Sequence, residues 1–319
     1  MKNNYSNILN FNRKNIVKTI SCLNNGNIAG LPTETVYGLG GNAYNKNSIK
    51  KIYKLKGRSK SNPLIIHYYS LNKAINDVEF NQYFLKLYKK FCPGPITFIL
   101  NRNINSKVNP VATAKLKTIA IRFPKHRVIR SILKKIDFPL AMPSANISNN
   151  VSPVRASDVV EEFKKKIKFI IDGGKSKVGI ESTVIDLTKT PIILRPGIID
   201  QESIEKILKL KIKKNFNKKK IKSPGMMKKH YSPGIPVLIN QEKFLKNSAF
   251  IYLGNKFNNN KHFFSLSKKS NLREAASNLY KIFRLIKKKG YKQIQVSKIP
   301  NKGPGIAIND RIKRASNTL

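Results

Sequence analysis

The stretch Pro32-Thr33-Glu34-Thr35-Val36-Tyr37-Gly38-Leu39 follows a short apolar run at residues 28–31 and decides the fold of the first half of the chain. It holds too much Pro, Thr and Gly for a helix, so the pattern predicts a strand that ends in a tight polar turn. The same design recurs downstream, where apolar runs end in Arg, Ser or Asn within residues 118–124, 139–148, 179–186 and 192–197. Ligands of α/β proteins commonly bind at strand ends, so these segments predict one polar site on an α/β sheet.

Two cations and a histidine flank the next apolar segment. Lys56 and Arg58 end an amphipathic stretch, and His67 follows the apolar residues 63–66. Taken alone, most Lys and Arg side chains are simply solvated, and a single histidine is more often structural than functional. Beside hydroxyl-bearing strand ends, however, this group of cations, with the amide of Asn62, suits an anionic and polar small ligand.

Length and composition limit the number of domains and the classes of protein to which the chain can belong. The 319 residues allow two domains, each large enough to bury a core. The net charge of +47 would alone suggest a nucleic-acid binder, but Lys, Asn and Ile crowd every segment, which also indicates a chain-wide codon bias. Two unpaired cysteines and four scattered histidines argue against a disulfide framework or a zinc site and favour a reducing cytoplasm. No apolar run is long enough to predict a membrane span.

Helical and strand-like patterns divide the chain into three parts. Residues 12–200 alternate between the two patterns and predict an α/β domain with a twisted mixed sheet. Residues 201–234, which include a lysine-rich stretch, predict a linker and lid. Residues 235–319 show strand–helix–strand order, which favours a second, smaller Rossmann-like α/β domain.

The ordered motifs PTETVYGL, KGR, NPLIIH, CPGPITFIL, TIAIRFP, PSANIS, GIESTVID, LRPG and KHYSPG together resemble the threonylcarbamoyl-AMP synthase family. The similarity is to its longer form, which joins a YrdC-type catalytic domain to a C-terminal Rossmann-like domain. One departure is Ser59, where the family usually has Pro, but no functional group is lost. The resemblance implies an ATP-dependent nucleotidyltransferase that combines L-threonine, bicarbonate and ATP into threonylcarbamoyl-AMP and pyrophosphate. It implies Mg²⁺ carried with the ATP, no protein-bound structural metal, and a cytoplasmic location.

The resemblance also implies roles for individual residues. The L-threonine pocket falls to Thr35, His67, Arg122, Met142 and Ser182. ATP binding falls to Arg58, Asn62, Thr118, Ser144, Asn146, Ser152, Arg195 and Tyr231. Lys56 and Arg58 are the expected catalytic cations, with Lys56 near the phosphates or the carbamate. Tyr231 lies beyond the linker, so we expect it to fold back over the pocket as part of a lid.

Several alternatives remain open at this level. Glu34 and Glu181 are candidate general bases, but the first also suits a turn residue and the second a residue that orients a strand end. A nonenzymatic RNA-binding module and a carbamoyl-transfer relative compete with the synthase. The C-terminal extension with residues 229–234 favours the synthase, because the shorter relatives lack it. The expected macromolecular partners of the synthase are tRNA or the proteins that modify tRNA. No association with a membrane is expected.

Overall fold

The computed structural model describes residues 6–214, 230–257 and 260–316 and contains two sheets. The strands of the large sheet are β1 (Ile8–Asn10), β2 (Ala29–Leu31), β3 (Gly38–Asn42), β4 (Ile65–His67), β5 (Ile96–Asn101), β6 (Thr118–Arg122), β7 (Leu140–Ala141), β8 (Ile170–Asp172), β9 (Thr183–Asp186), β10 (Ile192–Arg195) and β11 (Lys213–Lys214). Their spatial order is β1-β8-β2-β3-β7-β4-β6-β5-β9-β10-β11, with parallel and antiparallel pairs. The predicted mixed α/β sheet is therefore confirmed.

In the described parts of the chain, six helices pack on the large sheet, and asparagine side chains cap the N-termini of the first three. They are α1 (Arg13–Asn24), α2 (Lys46–Lys56), α3 (Gln82–Phe91), α4 (Arg127–Lys135), α5 (Ala156–Phe163) and α6 (Gln201–Leu208). Asn12, Asn45 and Asn81 precede the first three helices, and each side chain accepts a hydrogen bond from a backbone N–H of the first turn. Such caps satisfy donors that have no partner within the helix.

The central strands separate the main core from the face that forms the site. Ile65 pairs with Ala120, and both His67 and Thr97 pair with Arg122. Since side chains alternate along a strand, Thr118, Ala120 and Arg122 share one face. The opposite face enters the main core through Ile66, Phe98, Ile119, Ile121 and Ile185. The site face carries only a small apolar cluster, formed by Ile65, Ile99, Ala120, Val184 and Leu194.

The second sheet is all parallel and belongs to a smaller unit. Its strands are β12 (Val237–Leu238), β13 (Ala249–Tyr252), β14 (Phe263–Ser265) and β15 (Ile294–Val296), in the order β12-β15-β13-β14. Helices α7 (Leu272–Lys288) and α8 (Pro304–Ser316) pack with it. The same apolar cluster takes in Val36, Val151, Val154, Ile180 and Ile198 of the first unit. The two units thus share one continuous buried surface.

The packed first unit extends beyond residues 12–200 on both sides. Strand β1 precedes residue 12 and pairs with β8. After residue 200, α6 buries Ile204 and Leu208 in the main core, and β11 pairs with β10. The predicted linker and lid of residues 201–234 therefore begin too early, because amphipathic spacing in α6 outweighs the polar composition around it. The rest of the lysine-rich stretch and the first part of the predicted lid, at residues 215–229, lie outside the described residues.

Candidate active site

A cleft lies over the site face of the large sheet, where the second unit meets it. Counting its mouth and the open solvent there, the cleft has about 510 Å³ of empty space. The sequence-predicted residues that line it are Thr35, Arg58, His67, Arg122, Met142, Ser144, Ser182, Arg195 and Tyr231. Lys56, Asn62, Thr118, Asn146 and Ser152 are not among the lining residues.

Arg122 is held at one end of the cleft by a carboxylate. Its Nη2 donates to Glu34 Oε1 over 2.7 Å, and both side chains are almost completely buried. Glu34 Oε2 accepts a second hydrogen bond, from the N–H of Lys125. Arg122 Nε has no hydrogen-bond partner among the described residues. Glu34 is thus engaged by its own cation and orients Arg122 rather than serving as a free base, and it takes only one of the five guanidinium N–H donors.

His67 lies beside Arg122 on the adjacent strand and is buried. Burial, and then the Arg122 cation, lower the pKa of His67 to about 3. Its Nδ1 lies 3.1 Å from the carbonyl oxygen of Ile65. The ring is therefore neutral at physiological pH and suits a hydrogen-bonding role rather than a proton-accepting one.

We expect the imidazole signals of His67 not to titrate between about pH 5 and 8, where an unperturbed histidine changes charge. An unfolded chain protonates this ring near pH ~6.5, whereas the folded chain resists until pH about 3. The stability gained from burying the neutral ring is therefore complete above the unfolded pKa and is lost as the pH falls between these values. Two-dimensional NMR and acid melts check this, with His67→Gln as the control that should reduce the acid sensitivity. A titration midpoint near 6.5 would contradict the neutral ring.

A tight turn places hydroxyl groups at the same end of the cleft. Thr33 Oγ1 lies 2.8 Å from Thr35 Oγ1 and donates to the carbonyl of Val36. Gly38 is required beside the turn, since a Cβ there would lie 2.5 Å from Met142 Cγ. The missing side chain lets Met142 form the cleft wall at this point.

Arg58 and Asn62 are hydrogen-bonded to each other near the opposite end of the strands. Arg58 donates from Nε to the carbonyl of Asn62 and from Nη2 to Asn62 Oδ1. Thr118 lies two residues before Ala120, which pairs with Ile65, so it is expected beside Pro63 in the ladder. Thr118 and Arg122 are four residues apart on one face, or about 13 Å. Burial, and then Arg195, lower the pKa of Arg58 to about 10.

Ser182 and Arg195 are hydrogen-bonded to each other and together form another wall of the cleft. Arg195 donates from Nε to the Ser182 carbonyl and from Nη2 to Ser182 Oγ, over 3.0 and 3.1 Å. Ser182 Oγ also lies 2.7 Å from Thr97 Oγ1. Two neighbouring strands are thereby fixed so that a serine hydroxyl and a guanidinium face the same space.

Glu181 connects this wall to Ser152 and to the second unit. It accepts hydrogen bonds from Ser152 Oγ at 2.6 Å, Tyr280 OH at 2.9 Å and Arg311 Nε at 2.8 Å. Burial raises the pKa of Glu181, but the Arg311 and Arg195 cations and the Ser152 hydrogen bond outweigh burial and bring the pKa to about 2. A carboxylate this saturated orients its neighbours and is a poor general base.

Lys56 and Asn146 shape the loop beneath the cleft. The fully buried Lys56 ammonium donates to the backbone carbonyls of Ser144 and Asn146. Burial, and then Arg58, lower the pKa of Lys56 well below its usual value. Asn146 Nδ2 donates to the carbonyls of Ile147 and Asn150. Two backbone carbonyls take two of the three N–H donors of the Lys56 ammonium, and its place near the phosphates or the carbamate stays a prediction.

His230 and Tyr231 enter the cleft from beyond the linker and line it. Tyr231 is fully buried, its ring centroid lies 5.8 Å from that of Tyr280, and its hydroxyl has no partner among the described residues. Burial lowers the pKa of His230 to about 3, so this ring is also neutral.

Sequence reasoning missed Tyr280, Arg311 and His230. One signal was present for Arg311, which occupies a buried helical position alongside Ile308, Ile312 and Ala315. A cation in the apolar stripe of an amphipathic helix indicates a buried partner elsewhere in the fold.

In the parts of the chain that the structure describes, no group of three or more His, Cys, Asp or Glu side chains is arranged to hold a metal ion. No helix among the described residues combines the length and the apolar character needed to cross a bilayer.

Comparison with known proteins identifies two matching family models. Residues 21–197 match the model of Sua5, YciO and YrdC proteins, which is described as telomere recombination. Residues 199–317 match the C-terminal domain of threonylcarbamoyl-AMP synthase. The fold and the cleft therefore define a YrdC-type α/β enzyme with an appended parallel-sheet domain.

Curated relatives and solved structures agree over nearly the whole chain. The threonylcarbamoyl-AMP synthase of Pyrococcus abyssi is 36% identical over 313 residues, covering 91% of each chain. That of Bacillus subtilis is 32% identical and covers 97% of this chain and 94% of the relative. The crystal structure of P. abyssi Sua5 complexed with L-threonine superposes with a TM-score of 0.89 at 34% identity and covers 98% of both chains. The chain belongs to the threonylcarbamoyl-AMP synthase family, whose members are ATP-dependent enzymes that form an adenylate.

Proposed function

We propose that the cleft converts L-threonine, bicarbonate and ATP into threonylcarbamoyl-AMP and pyrophosphate, the first step of threonylcarbamoyl-adenosine formation in tRNA. The observation that carries this proposal is the separation of two polar groups on one strand face. Arg122 and His67 lie at one end, Thr118 lies about 13 Å along the strand from Arg122, and the apolar residues Ile65 and Ala120 lie between them. An amino acid fits the first end and a nucleotide the second.

The reaction joins two anions. Carbon dioxide derived from bicarbonate adds to the threonine amine, and the amine loses a proton to give a carbamate. A carbamate oxygen then bonds to the α-phosphorus of ATP as the bond from that phosphorus to the bridging oxygen breaks and pyrophosphate leaves. Such a step needs the two anions to be aligned and the charge on the leaving group to be neutralised.

The threonine end is assigned to Thr35, His67, Arg122, Met142 and Ser182. Arg122 suits the substrate carboxylate, because a guanidinium binds carboxylates with parallel donors and its Nε is unoccupied in the described structure. The neutral His67 and the two hydroxyl residues suit the amine and hydroxyl groups. Met142 supplies the apolar surface for the methyl group.

The nucleotide end is assigned to Arg58, Asn62, Thr118, Ser144, Asn146, Ser152, Arg195 and Tyr231. Arg58 and Arg195 are close enough that Arg195 lowers the pKa of Arg58, and a polyphosphate placed between them would relieve this repulsion. Glu181, which lines the cleft, and Glu34, which lies behind Arg122, are both engaged by arginines, so we propose that Mg²⁺ arrives with the phosphates. Lys56 and Asn146 also hold the loop that carries Ser144.

No covalent enzyme intermediate is required. Burial raises the pKa of the Cys22 and Cys92 thiols, and neither residue lines the cleft. Since a thiolate is the reactive form of cysteine, both are poor nucleophiles. Positioning and fixed positive charge therefore account for the proposed catalysis.

We further propose that the adenylate passes, in the cytoplasm, to proteins that modify tRNA. The net charge of +47 would attract tRNA with a steep dependence on salt concentration. The decisive experiment for the function is pyrophosphate release from ATP by the full chain. Release that requires both threonine and bicarbonate supports the proposal, and release that is independent of either substrate contradicts it.

Serine is expected to be a poor but detectable substrate. It lacks one methyl group, which is worth about 1–3 kcal/mol in an apolar pocket. Valine keeps the size but lacks the hydroxyl, so it leaves polar groups of the pocket unpaired and should fail. Steady-state pyrophosphate assays with the three amino acids check this order. Valine turnover equal to that of threonine would remove Thr35 and Ser182 from their assigned roles.

A further inference from the structure

Arg311, in the last helix of the chain, lies behind the nucleotide wall of the cleft. It is fully buried and its contacts reach three separate segments. Nε donates to Glu181 over 2.8 Å, Nη1 donates to the carbonyl of Pro196 over 2.9 Å, and the guanidinium carbon lies 5.2 Å from the ring centroid of Tyr231. Glu181 precedes Ser182 and Pro196 follows Arg195. One side chain thus ties together the segments that carry three lining residues.

We propose that Arg311 is a positioning residue of the active site, and that through Glu181 it fixes the wall formed by Ser182, Arg195 and Tyr231. The inference rests on the proposed function, because these three residues are assigned to the substrates there. It gives the C-terminal domain an indirect part in catalysis, because that domain supplies the cation that holds Glu181 in place.

The buried charge of Glu181 explains why its contact with Arg311 is needed. Glu181 is buried, and a buried carboxylate without a partner costs several kcal/mol. Arg311 supplies the neutralising charge, while Tyr280 and Ser152 complete the hydrogen bonds. Asp310 in turn accepts from Arg311 Nη1 and from Arg314 Nε, which fixes the guanidinium in place. The geometry of Glu181 therefore depends on the second unit being docked.

The second unit has contacts with the first unit that do not involve Arg311. Helix α7 makes a second set of contacts, in which Lys288 pairs with Glu161 and Arg284 pairs with Glu162. The approach of α7 is also close at Gly179, where a Cβ would lie 2.5 Å from the Cα of Ser277. None of these contacts involves a residue that lines the cleft. They provide a matched control, because they hold the same interface without touching the site.

The test compares Arg311→Met, Arg311→Lys, Glu181→Gln and Lys288→Gln in the full chain. Each variant is assayed for kcat and KM with ATP and with threonine, and for affinity for a nonhydrolysable ATP analogue by calorimetry. Misplacing a reacting group by about 1 Å costs on the order of a hundredfold in rate, so we expect a comparable fall in kcat/KM for ATP in Arg311→Met. Arg311→Lys should recover part of this loss, and Lys288→Gln should match the wild type. Equal losses in Arg311→Met and Lys288→Gln would overturn the proposal.

Two further measurements separate positioning from simple stabilisation. In the Glu181→Gln background, Arg311→Met should add little to the loss of analogue affinity, because both residues act along one path. Additive losses would overturn the proposal. In Arg311→Met alone, the Arg195 cation and the Ser152 hydrogen bond still oppose burial but the larger contribution of Arg311 is lost. The pKa of Glu181 should therefore rise, and analogue affinity should become pH-dependent, weakening as the pH falls. An unchanged pH profile would also overturn it.

The outcome also distinguishes this inference from the proposed function. If the wild-type chain binds the analogue but releases no pyrophosphate with threonine and bicarbonate, the proposed function fails. The role of Arg311 is then decided by the analogue affinities of the same four variants. If the wild-type chain does not bind the analogue, both proposals fall.

Discussion

Arg122→Ala is expected to weaken threonine binding by about 2–5 kcal/mol, the usual loss when one partner of a buried charge pair is removed. The side chain is buried, and its Nε is free of hydrogen bonds in the described structure. Binding of an ATP analogue should change much less, because Arg58 and Thr118, which we propose bind the nucleotide, lie toward the other end of the strands. Calorimetric titration of both ligands measures the two effects.

A second consequence of this substitution requires a control. Removal of Arg122 leaves Glu34 buried without its cation, so the variant should also lose stability. The double variant Arg122→Ala/Glu34→Gln removes both charges and should regain stability without regaining threonine affinity. Threonine affinity that is unchanged in either variant would show that the carboxylate binds elsewhere.

A chain that ends after Lys214 is expected to lose most of its synthase activity. It keeps α6 and β11, which belong to the packed first unit, but it loses Tyr231 and the residues that hold Glu181. It also exposes apolar side chains, among them Val36, Ile180 and Ile198, that the second unit covers. We expect this fragment to bind threonine weakly and to release its adenylate to hydrolysis, because enclosed sites protect reactive intermediates from water.

The fragment is measured beside the full chain for threonine-dependent pyrophosphate release and for intact adenylate, after melting experiments establish that it is folded. A chain cut after Asp200 is the matched comparison. It additionally lacks Ile204 and Leu208 of the main core and should melt at a lower temperature. Equal activity and equal survival of the adenylate in the fragment and the full chain would show that the second unit and Tyr231 are not needed for the reaction.

The sequence by itself determined the kinds of elements and the family. Alternation in residues 118–122 and the polar ends of the apolar runs predicted strands that deliver Arg, Ser and Asn, because side-chain period and turn chemistry are local properties of the chain. The order of motifs then indicated the enzyme class. Helix α1 and strand β3 were not predicted, since α1 has a weak apolar stripe and β3 is rich in glycine.

Only the tertiary structure decided which charged groups meet. Glu34 and Arg122 are separated by 88 residues, and Glu181 and Arg311 by 130. A local pattern specifies that a side chain is polar, but its partner depends on how the sheet orders its strands and on where a second unit docks. The same limit applies to Lys56, whose ammonium is taken by carbonyls of a distant loop. Burial makes these pairings matter, because a charge removed from water is costly unless an opposite charge or hydrogen bonds compensate it.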